Sequence, residues 1–236
     1  MVFPSRQSSP LRIGIYRASP LSVTMADPSH PTPAMDSPRP SPPPTLARRL
    51  AAFCLGLFGW RVIGGDLLLE RAVIVVYPHT SNWDFVIGIL AKIALGLRAR
   101  FIGKDTLFRG PLGILMRRLG GIPVDRAHPA GVVDQMAALF ADGQPLNLAI
   151  APEGTRSWRP GWKSGFHRIA LAAGVPVTVA SIDYAHREAG VLANVDLCGD
   201  PEADMARIAA LFEGRRGRRP ALAAPLVLLG SERKGP

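Results

Sequence analysis

The sequence predicts a single α/β domain in which helices flank a mostly parallel, mixed sheet. Short runs rich in β-branched residues alternate along the chain with longer stretches that have helical periodicity. The chain has 236 residues, of which 47% are hydrophobic and 19% charged. That length and composition suit one core-forming domain and exclude a chain disordered throughout. The two cysteines, Cys54 and Cys198, exclude a disulfide scaffold.

The strands are predicted from apolar runs. Residues 72–77 (AVIVVY) form an unbroken run of the kind found in central strands that are buried on both faces. Shorter runs predict four more strands, at residues 101–103, 122–124, 146–151 and 175–182. Because these runs alternate with helical stretches, the sheet is expected to be mostly parallel.

The intervening stretches predict helices at residues 83–97, 111–119, 130–142 and 164–173. The first is almost wholly apolar, with only Asp84 and Lys92 charged, and predicts a buried helix. The third has its apolar residues on one helical face. A last helix is predicted to begin after Asp200, because an aspartate followed by Pro201 is a typical helix start.

The N-terminal segment differs in composition from the rest. Residues 1–45 hold 11 of the 23 prolines and 8 serines, which predicts a disordered tail. They contain no apolar run typical of a secretory signal. Met25 and Met35 leave open a translation start further downstream. We expect the folded domain to span residues 46–230.

An apolar run at residues 50–60 opens that domain. It is too short to span a bilayer, which needs about 20 residues. It predicts a helix that is either buried in the protein or lies in the membrane interface. The flanking Arg48 and Arg49 favour the interface, since they can meet lipid phosphates.

The net charge is +10, from 28 basic and 18 acidic residues, which predicts an anionic partner. Nucleic acid, an acidic membrane and a phosphorylated small molecule all fit that charge. The sequence has no Walker phosphate loop, dinucleotide glycine fingerprint, Gly-x-Ser-x-Gly elbow or zinc-type cluster. It also has no helix-turn-helix pattern or aromatic RNA motif, so nucleic acid is not expected.

A histidine and an aspartate follow the predicted central strand. His79 lies just after the strand, where active sites of parallel sheets are found, and Asp84 opens the next helix. A tight turn would bring the carboxylate onto the imidazole and make His79 a general base. Alternatively, the two residues only cap a strand and a helix.

A second polar block, Glu153-Gly154-Thr155-Arg156, follows the strand at 146–151. The guanidinium of Arg156 suits a phosphate, and Gly154 allows the backbone to approach a ligand closely. Thr155 adds a hydroxyl donor, and Glu153 is expected to hold Arg156. The alternative is a surface turn with a local ion pair.

A third block, at residues 98–126, is basic and interrupted by glycines. Lys104, Arg109 and Arg126 are its candidates for lining an anion pocket. The alternative is a solvated basic face, which we prefer for Arg117 and Arg118.

Taken in order, these blocks resemble the glycerolipid acyltransferases, the family of the lysophosphatidate acyltransferases, in its short bacterial form. His79 and Asp84 match the His-x4-Asp motif, and residues 153–156 match Glu-Gly-Thr-Arg. The basic segment from Lys104 to Arg126 and the later Val-Pro-Val at 175–177 match the other two motifs. The resemblance covers about residues 50–185 and implies a glycerol-3-phosphate acyltransferase-like fold.

The resemblance implies an acyl-thioester-dependent O-acyltransferase. His79, oriented by Asp84, would deprotonate the free hydroxyl of a lysophospholipid, which then attacks the thioester of acyl-CoA or acyl carrier protein. The acceptor it implies is 1-acyl-sn-glycerol-3-phosphate, and the product is phosphatidate. The acceptor's phosphate would be bound by Arg156 with Lys104, Arg109 or Arg126, within a site that includes residues 153–155. No metal or redox cofactor is implied, and the expected location is peripheral, on the cytoplasmic face of the inner membrane.

Several alternatives stay open at this point. The other acceptors that fit are another lysophospholipid, a lyso-aminolipid and glycerol-3-phosphate. Two other classes of protein also fit: a thioester hydrolase, and a basic protein that binds membrane or nucleic acid without catalysis. The face of residues 83–97 is a candidate acyl groove, and ordinary core packing explains it equally well. The loop with Trp158 and Trp162 either enters the membrane interface or packs on the protein, and the arginines at 215–219 either bind anionic lipid or form a solvated tail.

Overall fold

The computed structural model describes residues 45–124 and 131–229. Almost all of the predicted tail, and the candidate site residue Arg126, therefore lie outside the described residues. The described residues contain a single seven-stranded sheet in the order β1-β7-β6-β2-β5-β3-β4. Its strands are β1 Arg61–Ile63, β2 Arg71–Tyr77, β3 Ala99–Lys104, β4 Gly121–Val124, β5 Leu146–Ile150, β6 Val177–Asp183 and β7 Glu188–Val195.

Neighbouring strands are parallel throughout, except for the antiparallel pair β6 and β7. This confirms the predicted mostly parallel, mixed sheet. Strands β1 and β7 were not predicted. β1 has only three residues, and the eight residues of β7 include Gly190, whose ideal Cβ would lie 2.1 Å from the carbonyl oxygen of Ile63. The glycine therefore permits the close pairing of β7 with β1.

Within residues 45–124 and 131–229, six α-helices flank the sheet: α1 Leu46–Leu57, α2 Trp83–Leu95, α3 Gly110–Arg118, α4 Val132–Ala138, α5 Gly165–Ala173 and α6 Pro201–Ala210. The predicted cap of α6 is confirmed, because the Asp200 side chain accepts hydrogen bonds from two backbone N–H groups of the first turn. Helix α4 is shorter than predicted. Its apolar face packs on the core as expected, through Met136 and the flanking Phe140.

The two faces of the sheet are covered differently. Val73, Val75 and Tyr77 of β2 lie in the larger core, which α4, α5 and α6 complete. Ile74 and Val76 alternate with them and face the side of the sheet covered by α2. This alternation explains why the whole of the central strand is apolar.

The helix predicted at residues 83–97 is present as α2, but it is only partly buried. On the buried face of α2, Ile87 and Ala91 pack against strands of the sheet and against α1. Trp83 and Val86 are exposed. Helix α1 packs beside it and buries Ala51 and Leu55. None of the helices in the described part of the chain has the length and apolarity needed to cross a bilayer.

Candidate active site

The turn after β2 brings His79 and Asp84 together. Asp84 is buried at the start of α2, and its Oδ2 lies 3.5 Å from His79 Nδ1. The same oxygen accepts hydrogen bonds from the backbone N–H groups of Thr80 and Ser81, each at 2.7 Å. Oδ1 accepts a hydrogen bond from the Tyr184 hydroxyl, also at 2.7 Å. Three donors therefore fix the carboxylate beside the imidazole.

This geometry sets the chemistry available to His79. A carboxylate beside Nδ1 favours the tautomer with its proton on that nitrogen and stabilises the imidazolium. The basic lone pair then lies on Nε2. The 3.5 Å separation is an ion-pair distance, longer than an ordinary hydrogen bond.

Tyr184 was not identified from the sequence, because it lies 100 residues beyond Asp84. Burial, followed by its hydrogen bond to Asp84, raises the pKa of its hydroxyl above the ordinary value. The phenol therefore stays protonated and acts as a donor to the carboxylate at every pH at which the protein is expected to work. Its ring packs edge-on against Trp60, at 4.9 Å between centroids, which fixes its position.

Glu153 lies beneath this turn and is only 2% exposed. Oε2 accepts a hydrogen bond from the His79 backbone N–H at 2.7 Å, and Oε1 accepts one from Ala224 N–H at 2.9 Å. The carboxylate thus joins the loop after β5, the histidine turn and the C-terminal segment. Arg156, which we expected it to hold, is exposed. The position of Glu153 suits a residue that places the histidine backbone.

Burial raises the pKa of Glu153 to about 7, although its two backbone hydrogen bonds oppose the shift. Because the folded pKa lies above the unfolded value of about 4.3, the stabilisation is complete below pH 4 and is lost as the pH rises to about 7. We expect wild type to lose about 3 kcal/mol of unfolding free energy relative to Glu153→Gln over that range. Urea unfolding of both proteins between pH 4 and pH 8 measures the difference. A difference that does not change with pH contradicts the assignment.

The other candidate binding residues lie beyond the ends of β3 and β5. Lys104 ends β3 and is exposed, and Arg109 forms an exposed ion pair with Asp105 at 3.2 Å. Arg156 is exposed after β5. Since β3 and β5 are neighbours, these three basic residues lie on one side of His79.

At Gly154, for which the sequence predicts a close approach to a ligand, the structure shows a close contact with a protein side chain. Its φ is +68°, and an ideal Cβ there would lie 3.2 Å from Cε of Lys163. Thr155 accepts a hydrogen bond through Oγ1 from Ser157 N–H at 3.3 Å. Lys163 therefore covers the turn and adds a cation to this side of the site.

The tryptophan loop is packed on the protein at Trp162. This side chain is 0% exposed, and its ring contacts Tyr77, Phe166 and Phe212. The membrane-interface alternative is therefore wrong for Trp162. Trp158, four residues earlier, is exposed.

An apolar cavity of about 190 Å³ lies between α2 and the sheet. His79 and Asp84 belong to its wall, and most of the remaining lining is aliphatic or aromatic. Lys92 also lines it, and its ammonium donates to the Leu119 carbonyl at 2.5 Å. Burial lowers the pKa of Lys92. The buried Ser181 hydroxyl, which has no hydrogen-bond partner among the described residues, is available to a ligand in this cavity.

The chain was compared with known proteins. The model of the acyltransferase family matches residues 60–183, more than half of the chain. Among solved structures, the chain is similar to the 1-acyl-sn-glycerophosphate (LPA) acyltransferase PlsC from Thermotoga maritima. The sequence identity is 20%, the match covers 70% of this chain and 75% of that chain, and the TM-score is 0.49. No curated protein matches the chain.

Proposed function

This chain belongs to the acyltransferase family, and we propose that it transfers a fatty acyl group from an acyl thioester to the free hydroxyl of 1-acyl-sn-glycerol-3-phosphate, giving phosphatidate. One observation carries the proposal: the His79–Asp84 pair lies in the wall of an apolar cavity, with basic residues on one side. The cavity suits an acyl chain, and the basic residues suit the phosphate of the acceptor.

His79 acts as general base in this mechanism. Its Nε2 removes the proton from the acceptor hydroxyl, and the oxygen attacks the thioester carbonyl carbon. The tetrahedral intermediate collapses as the carbon–sulfur bond breaks, and the thiolate takes the proton back from the imidazolium. Asp84 holds the imidazole and stabilises its cationic form, while Tyr184 and two backbone N–H groups hold Asp84. General-base catalysis contributes about 10²–10⁴-fold, so positioning of the two substrates supplies much of the rest.

The acyl chain occupies the cavity between α2 and the sheet. Burying each methylene there is worth about 0.8 kcal/mol, which favours long chains as far as the cavity extends. The candidate groove along residues 83–97 thus corresponds to the face of α2 that carries Phe85, Gly88 and Ile89.

The function is tested by measuring thiol release from palmitoyl-CoA and palmitoyl carrier protein with each acceptor in turn. We expect release that requires lysophosphatidate and yields phosphatidate. Glycerol-3-phosphate and lysophosphatidylcholine test the other acceptors. Thiol release that needs no acceptor identifies a hydrolase and contradicts the proposal.

Arg156 binds the acceptor's phosphate in this scheme. Arg156→Gln removes a charge-assisted hydrogen bond, worth about 1.5–3 kcal/mol, so we expect the KM for lysophosphatidate to rise about 10–100-fold. The KM for the acyl donor should change less than about threefold. Arg168→Gln, which removes an exposed arginine from α5, serves as the control. Equal KM values in wild type and the Arg156 variant would show that the phosphate binds elsewhere.

We also propose that the enzyme meets its lipid substrates at the cytoplasmic face of the inner membrane through α1. Leu46, Leu50, Phe53 and Leu57 follow one another at helical spacing and are between 58% and 82% exposed. They form a stripe opposite the buried Ala51 and Leu55, so α1 is apolar on two faces. The exposed Arg49 lies on the same helix and can meet anionic headgroups.

The double variant Phe53→Ser, Leu57→Ser tests this surface. Losing two large apolar side chains from the lipid contact should weaken binding to phosphatidylglycerol-containing vesicles about 10–100-fold. Sedimentation with vesicles measures the change. The control is Leu171→Ser, which removes an exposed leucine from α5. Unchanged vesicle binding in the double variant would rule out α1 as the contact.

A further inference from the structure

A loop rich in arginine packs on the histidine turn. Residues 213–219, called here the arginine loop, follow α6 and lie outside the segment that matches the family. Arg219 N–H donates to Thr80 Oγ1 at 3.2 Å. An ideal Cβ at Gly217 would lie 2.6 Å from the same oxygen and 3.0 Å from Cβ of Pro78. The loop thus lies so close to the turn that any larger residue at position 217 would force the two segments apart.

Several hydrogen bonds fix the backbone of the loop. The buried Asp183 accepts from Arg216 N–H at 3.1 Å and from the Arg215 guanidinium at 3.3 Å. Arg215 also donates to Glu188 at 2.7 Å, and the Arg216 carbonyl accepts from Tyr184 N–H at 2.9 Å. The solvated tail that these arginines suggested as one alternative is therefore excluded for Arg215, whose charge is used within the protein.

The remaining arginines of the loop are exposed. Arg218 lies with Cζ 5.8 Å from the centroid of the Trp83 ring, which is 57% exposed and immediately precedes Asp84. Its charge also acts on Tyr184, the donor to Asp84. The side chains of Arg216 and Arg219 are exposed and have no recorded partner within the described ranges. The loop thus presents three cations beside the catalytic turn.

The strand order places the two basic groups on opposite sides of His79. Lys104 and Arg156 follow β3 and β5, on one side of β2. The arginine loop is held by Asp183, Tyr184 and Glu188, at the ends of β6 and β7 on the other side. Acyl transfer brings together an acceptor and a donor that both carry phosphate. Two cationic sites that flank one base fit two anionic substrates.

We propose that Arg218 binds the phosphate of the phosphopantetheine arm that carries the acyl thioester. This inference rests on the proposed function, which assigns the Arg156 side to the acceptor. With the acyl chain in the cavity and the thioester at His79, the arm has to leave on the side that the acceptor does not use. Coenzyme A and acyl carrier protein share this arm and its phosphate, so the inference applies to either donor.

The test compares donors with and without that phosphate. In Arg218→Gln, we expect the KM for palmitoyl-CoA and for palmitoyl carrier protein to rise about tenfold, with the KM for lysophosphatidate unchanged. The kcat/KM for palmitoyl-pantetheine, which lacks the phosphate, should equal that of wild type. Arg168→Gln removes the same charge from α5 and should leave both KM values unchanged.

Four outcomes overturn the assignment. An equal loss with palmitoyl-pantetheine shows that Arg218 only positions the turn. A loss with palmitoyl-CoA alone places the contact at the nucleotide phosphates. Unchanged donor KM values with weaker vesicle binding make the loop a lipid-binding surface. Calorimetry of CoA binding, which needs no turnover, separates this inference from the proposed function: a tenfold weaker Kd in Arg218→Gln supports the phosphate contact even if no acceptor is acylated, and an equal Kd overturns it.

Discussion

Replacing His79 by alanine is expected to lower the kcat of acyl transfer about 10²–10⁴-fold, because the substitution removes the base that takes the acceptor's proton. The KM for donor and acceptor should change little, since the imidazole acts mainly in the transition state. The fold should be retained, because the hydrogen bond to Glu153 comes from the His79 backbone, which alanine preserves. Steady-state kinetics with palmitoyl-CoA and lysophosphatidate measures the change.

The chain supplies a matched control for this variant. His186 is also paired with an aspartate, with Nδ1 2.5 Å from Asp183 Oδ2, and its side chain is largely solvent-exposed. It does not line the cavity. His186→Ala should therefore keep kcat within about threefold of wild type. If His79→Ala is as active as His186→Ala, the general-base assignment is wrong.

The local part of this site could be predicted from the sequence. Asp84 lies five residues after His79, and the backbone donors on its carboxylate come from Thr80 and Ser81 in the same turn. Residues so close in the chain meet whenever the turn is tight. The motif and its position after a strand were therefore enough to predict that these two side chains lie together. Tyr184 lies 100 residues beyond Asp84, and Ala224 lies 71 residues beyond Glu153, so only the tertiary fold brings these partners to the site.

The sequence could not distinguish two other features, the apolar face of α2 and the arginine loop, from simpler structures of the same composition. An apolar helix face that lines a cavity has the same residues as one packed in a core, so the sequence of α2 left an acyl groove and ordinary core packing equally open. In the structure, part of this face lines the cavity between α2 and the sheet. The arginine loop has the composition of a solvated tail. Its position beside the histidine turn depends on Gly217 and on the buried Asp183, and the order of charges along the sequence shows neither contact.

The cavity itself leads to the second prediction with a large effect. Gly88 lies on α2 and lines the cavity, and an ideal Cβ there would meet Ile182 Cδ1 at 3.5 Å, an ordinary contact. The first carbon of a new side chain therefore fits. The further carbons of Gly88→Leu have to occupy space that the acyl chain uses in the proposed mechanism. The helix should tolerate the change, because leucine favours a helix over glycine by about 0.5–1 kcal/mol.

We expect Gly88→Leu to lower kcat/KM for palmitoyl-CoA about 100-fold and that for octanoyl-CoA less than about threefold, because a short chain leaves the filled part of the cavity empty. The control is Gly165→Leu, the same substitution at the start of α5, where an added Cβ meets nothing within 4 Å. It should change neither donor. An equal loss for both donors would mean that the leucine disturbs the histidine turn, and no loss for either would place the acyl chain outside this cavity. A change in the ratio of kcat/KM for palmitoyl-CoA to kcat/KM for octanoyl-CoA, in an enzyme that keeps His79, is the result that would show that the space between α2 and the sheet determines chain-length preference.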